Sequence, residues 1–372
     1  MISKPMKPMK SLAASAGLVG VTCLLAFVTP VHEAAAAAGA QSARTAASST
    51  AKAWTASGEV SCTSTYAGQA KRLAAGIAGA LGDRRSTVSL TLDDRDTGTT
   101  CLLGPHRRFD AASVVKPVIL GALLWARHGE LSPQEKALAR KMIVESDNDA
   151  TEVLWKELST AGTDGSSRPV KLEQFLRAVH MDETVPDPDG SFGLTRVTAP
   201  DLVKLLRAFR GEGGVLTPAA GSYALGLMRD VEADQRWGTP ASAPVGAEVH
   251  VKNGWLQRTG KAHRPADRGD WRINSMAAFT GRGYDYDLVV LTENNRAPAG
   301  HPAREGYLYG IDTIEAAAKA VNMDLRAVGK AAGASPPMTP DRTVEAALAL
   351  GGTVVGPAGH RMLVRNAAKG AA

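Results

Sequence analysis

Through TYAGQAKRLAAGIAGALG, Thr65 to Gly82, apolar residues recur every three or four positions and the run stops at a glycine, which predicts a helix with one face toward a core. The period then changes. STVSLTLDDRDTGTTCLLG, Ser86 to Gly104, alternates β-branched and polar positions on either side of DRDTG, as a hairpin with its turn there would. From about Ala111 to Asp230 helical spacing dominates, and strand character returns in EVHVKNGW (Glu248 to Trp255), WRINSMAAFTG (Trp271 to Gly281) and YDYDLVVLTEN (Tyr284 to Asn294). GIDTIEAAAKAVNM, Gly310 to Met323, reads as one closing helix. Strands, then helices, then strands, with a helix near each end, predict an α+β fold built on an antiparallel sheet rather than a regular βαβ alternation.

Both ends of the chain depart from this pattern. Lys4, Lys7 and Lys10 precede an apolar stretch from Ser11 to Pro30 and an alanine run, so residues 1–40 read as a secretory signal peptide. The apolar positions from Leu12 to Val28 are too few, and too diluted by Ser, Gly and Thr, for a helix across lipid, so no stable membrane insertion is expected. Residues 41–58, mainly Ala, Ser and Thr, read as a linker that cannot bury enough surface to fold alone. The folded domain is expected over 59–326, and 327–372, rich in Gly, Ala and Pro, reads as a tail of low order.

Composition narrows the function. A hydrophobic content of 44% with 22% charged residues fits a globular protein. The net charge of +6 falls to +4 once the three lysines and Glu33 of the signal are removed, and no basic run is interleaved with aromatics, which disfavours nucleic-acid binding. Cys62 and Cys101 then remain, an even pair that an exported chain can join as a disulfide, with two buried thiols as the alternative. The eight histidines show no compact ligand spacing, so neither a metal nor an organic cofactor is expected. DGSFG misses the G-x-S-x-G elbow because Asp189 stands at its first glycine. ADQRWG, Ala233 to Gly238, reads as a loop with a half-buried tryptophan.

The chemistry begins at FDAASVVKPVILGALLWARHGE, Phe109 to Glu130, where Ser113 and Lys116 head an almost unbroken apolar run and Asp110 stands where a helix cap would. Residues three apart share a helix face, so a hydroxyl nucleophile would meet an amine that apolar packing keeps neutral and able to take a proton. Pro117 lacks the N–H that the Ser113 carbonyl would bond, which predicts a distorted first turn. Further on, Ser146, Asp147 and Asn148 interrupt the helical pattern of MIVESDNDATEVLW, and in HVKNGW Lys252 sits within a strand where Gly254 relieves crowding.

With S-x-x-K, S-D-N and K-x-G in this order, the chain resembles the serine β-lactamase and penicillin-binding-protein superfamily, and most the secreted class A-like members, over Cys62 to Asp324. The likeness rests on SVVK, SDND, GLTRVTAPDLVKLL and VKNGW. It implies an antiparallel sheet packed by the N- and C-terminal helices beside a mostly helical subdomain, with the site between them. It also implies Ser113 as acylated nucleophile, Lys116 as its base, Ser146 as proton shuttle and Asn148 as ligand of a substrate amide. Lys252, Asn253 and Gly254 would meet the substrate carboxylate, and the backbone N–H groups of Ser113 and Trp255 would form an oxyanion hole. The water-activating glutamate of such enzymes falls, by the family's spacing back from Pro200, on Glu183, while Asp187 and Asp189 read as turn residues. Arg272 is a candidate for assisting the carboxylate, with a solvated strand residue as the alternative. The short interval from Ser113 to Ser146 implies a trimmed helical region. The function so implied is a secreted or cell-wall-associated monomeric enzyme that opens a β-lactam and so confers antibiotic resistance. The alternatives are a D,D-peptidase acting on D-alanyl stem peptides, or a β-lactam sensor that does not turn over.

Overall fold

Two stretches of β-branched and aliphatic residues, TVSLTLDD and YDLVVLTENN, lie side by side at the centre of the molecule as strands β3 (Thr87–Asp94) and β11 (Tyr286–Asn295). Nearly every successive residue in them is buried, which means that both faces of the sheet are covered. A computed structural model describes residues 48–161, 167–258, 269–281 and 283–331, with side chains as far as 326. The sheet has seven antiparallel strands in the order β1-β2-β4-β3-β11-β10-β9. The others are β1 (Ser49–Thr55), β2 (Gly58–Ser64), β4 (Thr99–Leu103), β9 (Glu248–Gln257) and β10 (Trp271–Thr280). Two short antiparallel pairs lie outside this sheet, β5 (Phe109–Asp110) with β8 (Arg196–Val197) and β6 (Thr160–Ala161) with β7 (Ser167–Arg168).

Helix α1 (Gln69–Leu81) packs against the terminal helix α8 (Arg304–Ala331), and both lie on the sheet. The helical segment follows the β3–β4 hairpin: α2 (Val115–Ala126), α3 (Pro133–Arg140), α4 (Asn148–Glu157), α5 (Val170–Ala178), α6 (Ala199–Phe209) and α7 (Pro218–Arg229). α6 packs on β3 and β11, and α7 on β9, so the two regions share one contiguous core. Helix starts follow local chemistry. Ser132 and Glu135 form a capping box ahead of α3, and the side chains of Asp147, Thr198 and Thr217 each accept an N–H at the start of α4, α6 and α7.

The α+β architecture expected from the alternation of patterns is present, and so is the disulfide. Cys62 and Cys101 face one another across β2 and β4 and are bonded, fully buried. The expected linker is corrected over its second half: residues 49–55 are a sheet strand, and the β1–β2 turn follows. Its pairing needs no large side chains, because backbone bonds to β2 supply the ladder and the small Ala51 and Ala53 lie flat against the core. The closing helix continues past 326 to Ala331. The expected signal peptide, the first part of the linker and the tail beyond 331 lie outside the described residues. No helix among the described residues is long and apolar enough to cross a membrane.

Candidate active site

Ser113 lies in a tight 3-10 turn, Ala112–Val114, that leads into α2. Helical bonding is shortened there, with the Val115 N–H reaching the Ala112 and Ser113 carbonyls, as the missing N–H of Pro117 predicts. Ala112 has φ 47°, a left-handed conformation unusual for a residue with a Cβ. Asp110 does not cap the helix; its side chain is fully buried among arginines, a correction to the sequence reading. The start of α2 also directs its unpaired N–H groups and positive dipole end toward the serine.

One helical turn on, Lys116 is completely buried, and its Nζ lies 2.6 Å from the Ser146 carbonyl oxygen, 3.1 Å from Ser146 Oγ and 2.8 Å from Asn148 Oδ1. Ser146 reaches this point because α3 runs into a π-turn over Lys141–Glu145, after which Ser146 itself takes a left-handed conformation, φ 57°. From the sheet, Lys252 Nζ lies 2.9 Å from the same Ser146 Oγ and 3.1 Å from the Asn253 carbonyl. One hydroxyl therefore bridges two buried amines that stand 136 residues apart in the chain.

Burial dominates their electrostatics. It pushes the Lys252 amine down to about 7. Lys116 is held well below the ordinary lysine range, first by burial and then by the charge of Lys252, with Asp147 opposing. No carboxylate among the described residues is hydrogen-bonded or ion-paired to either amine. The Ser113 hydroxyl has no hydrogen-bond partner among the described residues, so the expected meeting of that hydroxyl with the Lys116 amine is not made; the amine is held by Ser146 and Asn148 instead. A nucleophile in a strained turn, a readily neutral amine one turn away and a hydroxyl relay to a second amine can together move a proton from an attacking oxygen to a leaving group.

Gly254 is required by contact. A Cβ built there would lie 2.6 Å from the Ser113 nitrogen, 2.8 Å from that of Val114 and 3.0 Å from the Ala111 carbonyl, so β9 meets the serine turn backbone to backbone. Side chains alternate along β9, and the face carrying Lys252 and Gly254 is the one toward the serine. Asn253 and Trp255 fall on the other. The Asn253 Nδ2 donates to the carbonyls of Gln235 and Trp237 at 2.7 and 2.8 Å, which uses both of its hydrogens, while Oδ1 is buried without a partner among the described residues. Trp255 packs against Trp237 and Tyr307, with ring centroids 6.0 and 6.3 Å away. Expecting the Asn253 side chain to contact substrate is thus corrected; it ties the Gln235–Trp237 loop to the strand.

Glu183 is not brought to this cluster. Its carboxylate lies 2.9 Å from the exposed ring of His106, its carbonyl accepts from Arg108, and its N–H donates to the buried Asp201. Asp187 accepts the N–H groups of Asp189 and Ser191, as a turn residue does. The loop instead meets the serine turn with Phe192 and Gly193: Lys116 Nζ lies 6.0 Å from the Phe192 ring centre, and a Cβ at Gly193 would stand 3.8 Å from Ala112 Cα. Arg272 is buried and paired with Asp270 at 2.5 Å and Asp110 at 3.4 Å, so it is neither solvated nor a free carboxylate receptor.

Sequence reading passed over three supports of the site. Asn274 Nδ2 donates to the Asp110 and Ala111 carbonyls, and Gln235 Nε2 donates to the Glu145 carbonyl, tying the Ser146 turn to the same loop that holds Asn253. Asp110, read from the sequence only as a helix cap, is the third. An asparagine in the middle of the otherwise apolar WRINSMAAF was the available signal, since buried polar side chains are kept only where they have partners. Among the described residues no group of His, Cys, Asp and Glu is arranged to hold a metal.

Known folds agree with this architecture. A class A β-lactamase from Bacteroides cellulosilyticus superposes with TM-score 0.53 at 15% identity, covering 70% of this chain and 99% of its own. A variant of the reconstructed last common ancestor of Gram-negative class A β-lactamases gives 0.51 at 18% identity, covering 68% and 98%. The L158E mutant of PBP-A, solved as its acyl-enzyme with penicillin G, gives 0.51 at 20% identity, covering 69% and 97%. Comparison with curated protein sequences gives no match. The profile of the Beta-lactamase enzyme family matches residues 131–322, a segment that carries Ser146, Asn148 and Lys252 and begins after Ser113. The chain belongs to the β-lactamase enzyme family.

Proposed function

We propose that the protein is an exported serine hydrolase that opens a β-lactam amide through an ester on Ser113. The observation that carries this reading is the buried chain Lys116–Ser146–Lys252 beside a serine with an uncommitted hydroxyl. Ser113 Oγ attacks the lactam carbonyl while its proton passes to Lys116. The C–N bond then breaks, and the proton travels through Ser146 to the departing nitrogen. Lys252 supplies positive charge to Ser146 and to the substrate carboxylate. The backbone N–H groups of Ser113 and Trp255 receive the oxyanion, each such donor contributing about 3 to 4 kcal/mol in a working site. The buried Cys62–Cys101 disulfide supports secretion or residence at the cell wall, since such bonds persist in oxidising compartments. Time-resolved intact-mass measurement with a penicillin tests the proposal: an adduct or hydrolysed product that disappears in Ser113→Ala is expected, and wild-type protein giving neither refutes it.

One observation favours a second outcome after acylation. Where the loop before α6 faces the serine turn it presents Phe192 rather than a carboxylate, and Glu183 is engaged at the surface. Water activation would then fall to an amine, and the ester would persist, as in a D,D-peptidase-like enzyme or a β-lactam sensor. A burst of one equivalent followed by slow release, unchanged in Glu183→Gln, marks this outcome; fast release that Glu183→Gln abolishes marks the first.

A further inference from the structure

Asp110 stands three residues before Ser113 and is fully buried, yet it neither caps α2 nor touches the amines of the site. Its carboxylate collects guanidinium groups from three walls around the serine. Arg196, in the short strand β8 (Arg196–Val197) of the loop before α6, lies 3.0 Å from Oδ1. Arg258, just past β9, approaches Oδ2 with Nε at 2.7 Å and Nη2 at 2.5 Å. Arg272 of β10 lies 3.4 Å from the same oxygen. Arg272 also pairs with Asp270, but Arg196 and Arg258 ion-pair with no other carboxylate among the described residues.

Between this hub and the nucleophile lies the strained residue. Left-handed backbone at an alanine survives only where its surroundings over-determine it. Asn274 holds the Asp110 and Ala111 carbonyls at 2.9 and 3.1 Å, the Ala111 N–H donates to the Thr195 carbonyl at 2.8 Å, and Gly254 closes against the Ser113 nitrogen. Each of these anchors belongs to the loop, β9 or β10, the same three walls that Asp110 draws together.

We propose that Asp110 is a positioning residue for the nucleophile: by clasping Arg196, Arg258 and Arg272 it keeps the loop, β9 and β10 closed on the turn, and so holds Ala112 in the left-handed conformation that aims Ser113. The inference rests on Ser113 being the acylated residue. Without the carboxylate the two outer guanidinium groups repel and the walls part. Ala112 then relaxes toward negative φ, and the serine leaves its attacking position while the binding groups Asn148 and Lys252 stay in place.

A double-mutant cycle reads this directly, with the acylation rate constant and the dissociation constant of the prior complex measured separately by stopped-flow with a chromogenic cephalosporin. Asp110→Asn is expected to slow acylation about 100-fold, the scale of an ångström-sized misplacement, with little change in the prior complex. Glycine adopts the left-handed region freely, so the same substitution made in an Ala112→Gly background is expected to slow acylation about tenfold less than in the alanine background. A merely structural role would weaken both backgrounds alike. Should Asp110→Asn not accumulate as folded protein, Arg196→Gln, at the more exposed edge of the hub, is put through the same cycle. Wild-type acylation rates in the single variant, or an equal loss in both backgrounds, overturn the proposal. Failure of the wild-type protein to acylate on Ser113 overturns instead the reading on which it rests.

Discussion

Replacing Lys252 by methionine should make the protein more stable and inactive. The Lys252 amine is fully buried and its pKa falls from 10.5 to about 7, a shift equivalent to roughly 5 kcal/mol of penalty on the charged form. Between those two values the unfolded chain binds the proton and the folded chain does not, so wild-type stability rises as pH increases from about 7 toward 10.5. Below pH 7 both states carry the charge and the penalty is fully expressed. Methionine removes the penalty but forfeits the bonds to Ser146 Oγ and the Asn253 carbonyl, about 1 kcal/mol each. The net gain at pH 6 is therefore about 3 kcal/mol, or some 6 to 10 °C in Tm for a domain of this size. It shrinks toward pH 10. Removing Lys252 also relieves the like-charge pressure on Lys116, which adds to the gain at low pH. Thermal unfolding followed by circular dichroism at pH 6, 8 and 10 measures the difference. A variant no more stable than wild type at pH 6, or a gap that does not close with rising pH, refutes the reasoning.

Gly254→Ala should slow acylation at least about 10-fold with little loss of fold, because the added Cβ lies 2.6 Å from the Ser113 nitrogen and one backbone must shift; acylation kinetics and circular dichroism separate the two effects. Asn253→Ala should cost about 2 to 4 kcal/mol in urea unfolding, since two carbonyls lose their donor, while KM for a β-lactam changes less than threefold, as befits a side chain that faces away from substrate. Reducing Cys62–Cys101, which closes a separation of 39 residues, should lower stability by about 4 kcal/mol on chain-entropy grounds, measured as the denaturation midpoint with and without dithiothreitol in the presence of enough urea to expose the buried bond.

The elements set by periodicity were legible in the amino-acid order. The helix ending before Gly82, the hairpin turning at DRDTG and the late strands all emerge where residue spacing alone decides what can face a core. So was the meeting of Lys116, Ser146, Asn148 and Lys252, because three motifs fixed its members. Side-chain direction was not legible. Whether Asn253 looks toward substrate or toward the Gln235–Trp237 loop depends on which face of β9 is turned to the serine, and a strand buried on both sides carries no periodic mark of that. Glu183 was assigned by counting, whereas its position is fixed by contacts with Asp201, 18 residues on, and Arg108, 75 residues back, which spacing along the chain does not reveal. The strand at 49–55 was missed because backbone pairing to β2, not apolar mass, holds it.

The pairing of β3 with β11 has a kinetic consequence. Thr87 is opposite Glu293, so the central ladder joins segments about 200 residues apart, and within the sheet β10 and β9 connect to β3 through β11. Contacts of such long range form late and slowly. A chain whose last strand has not yet left the export channel cannot bring Gly254 against residue 113, so reactivity toward an acylating drug should arrive abruptly, once nearly the whole chain is free, rather than grow with length.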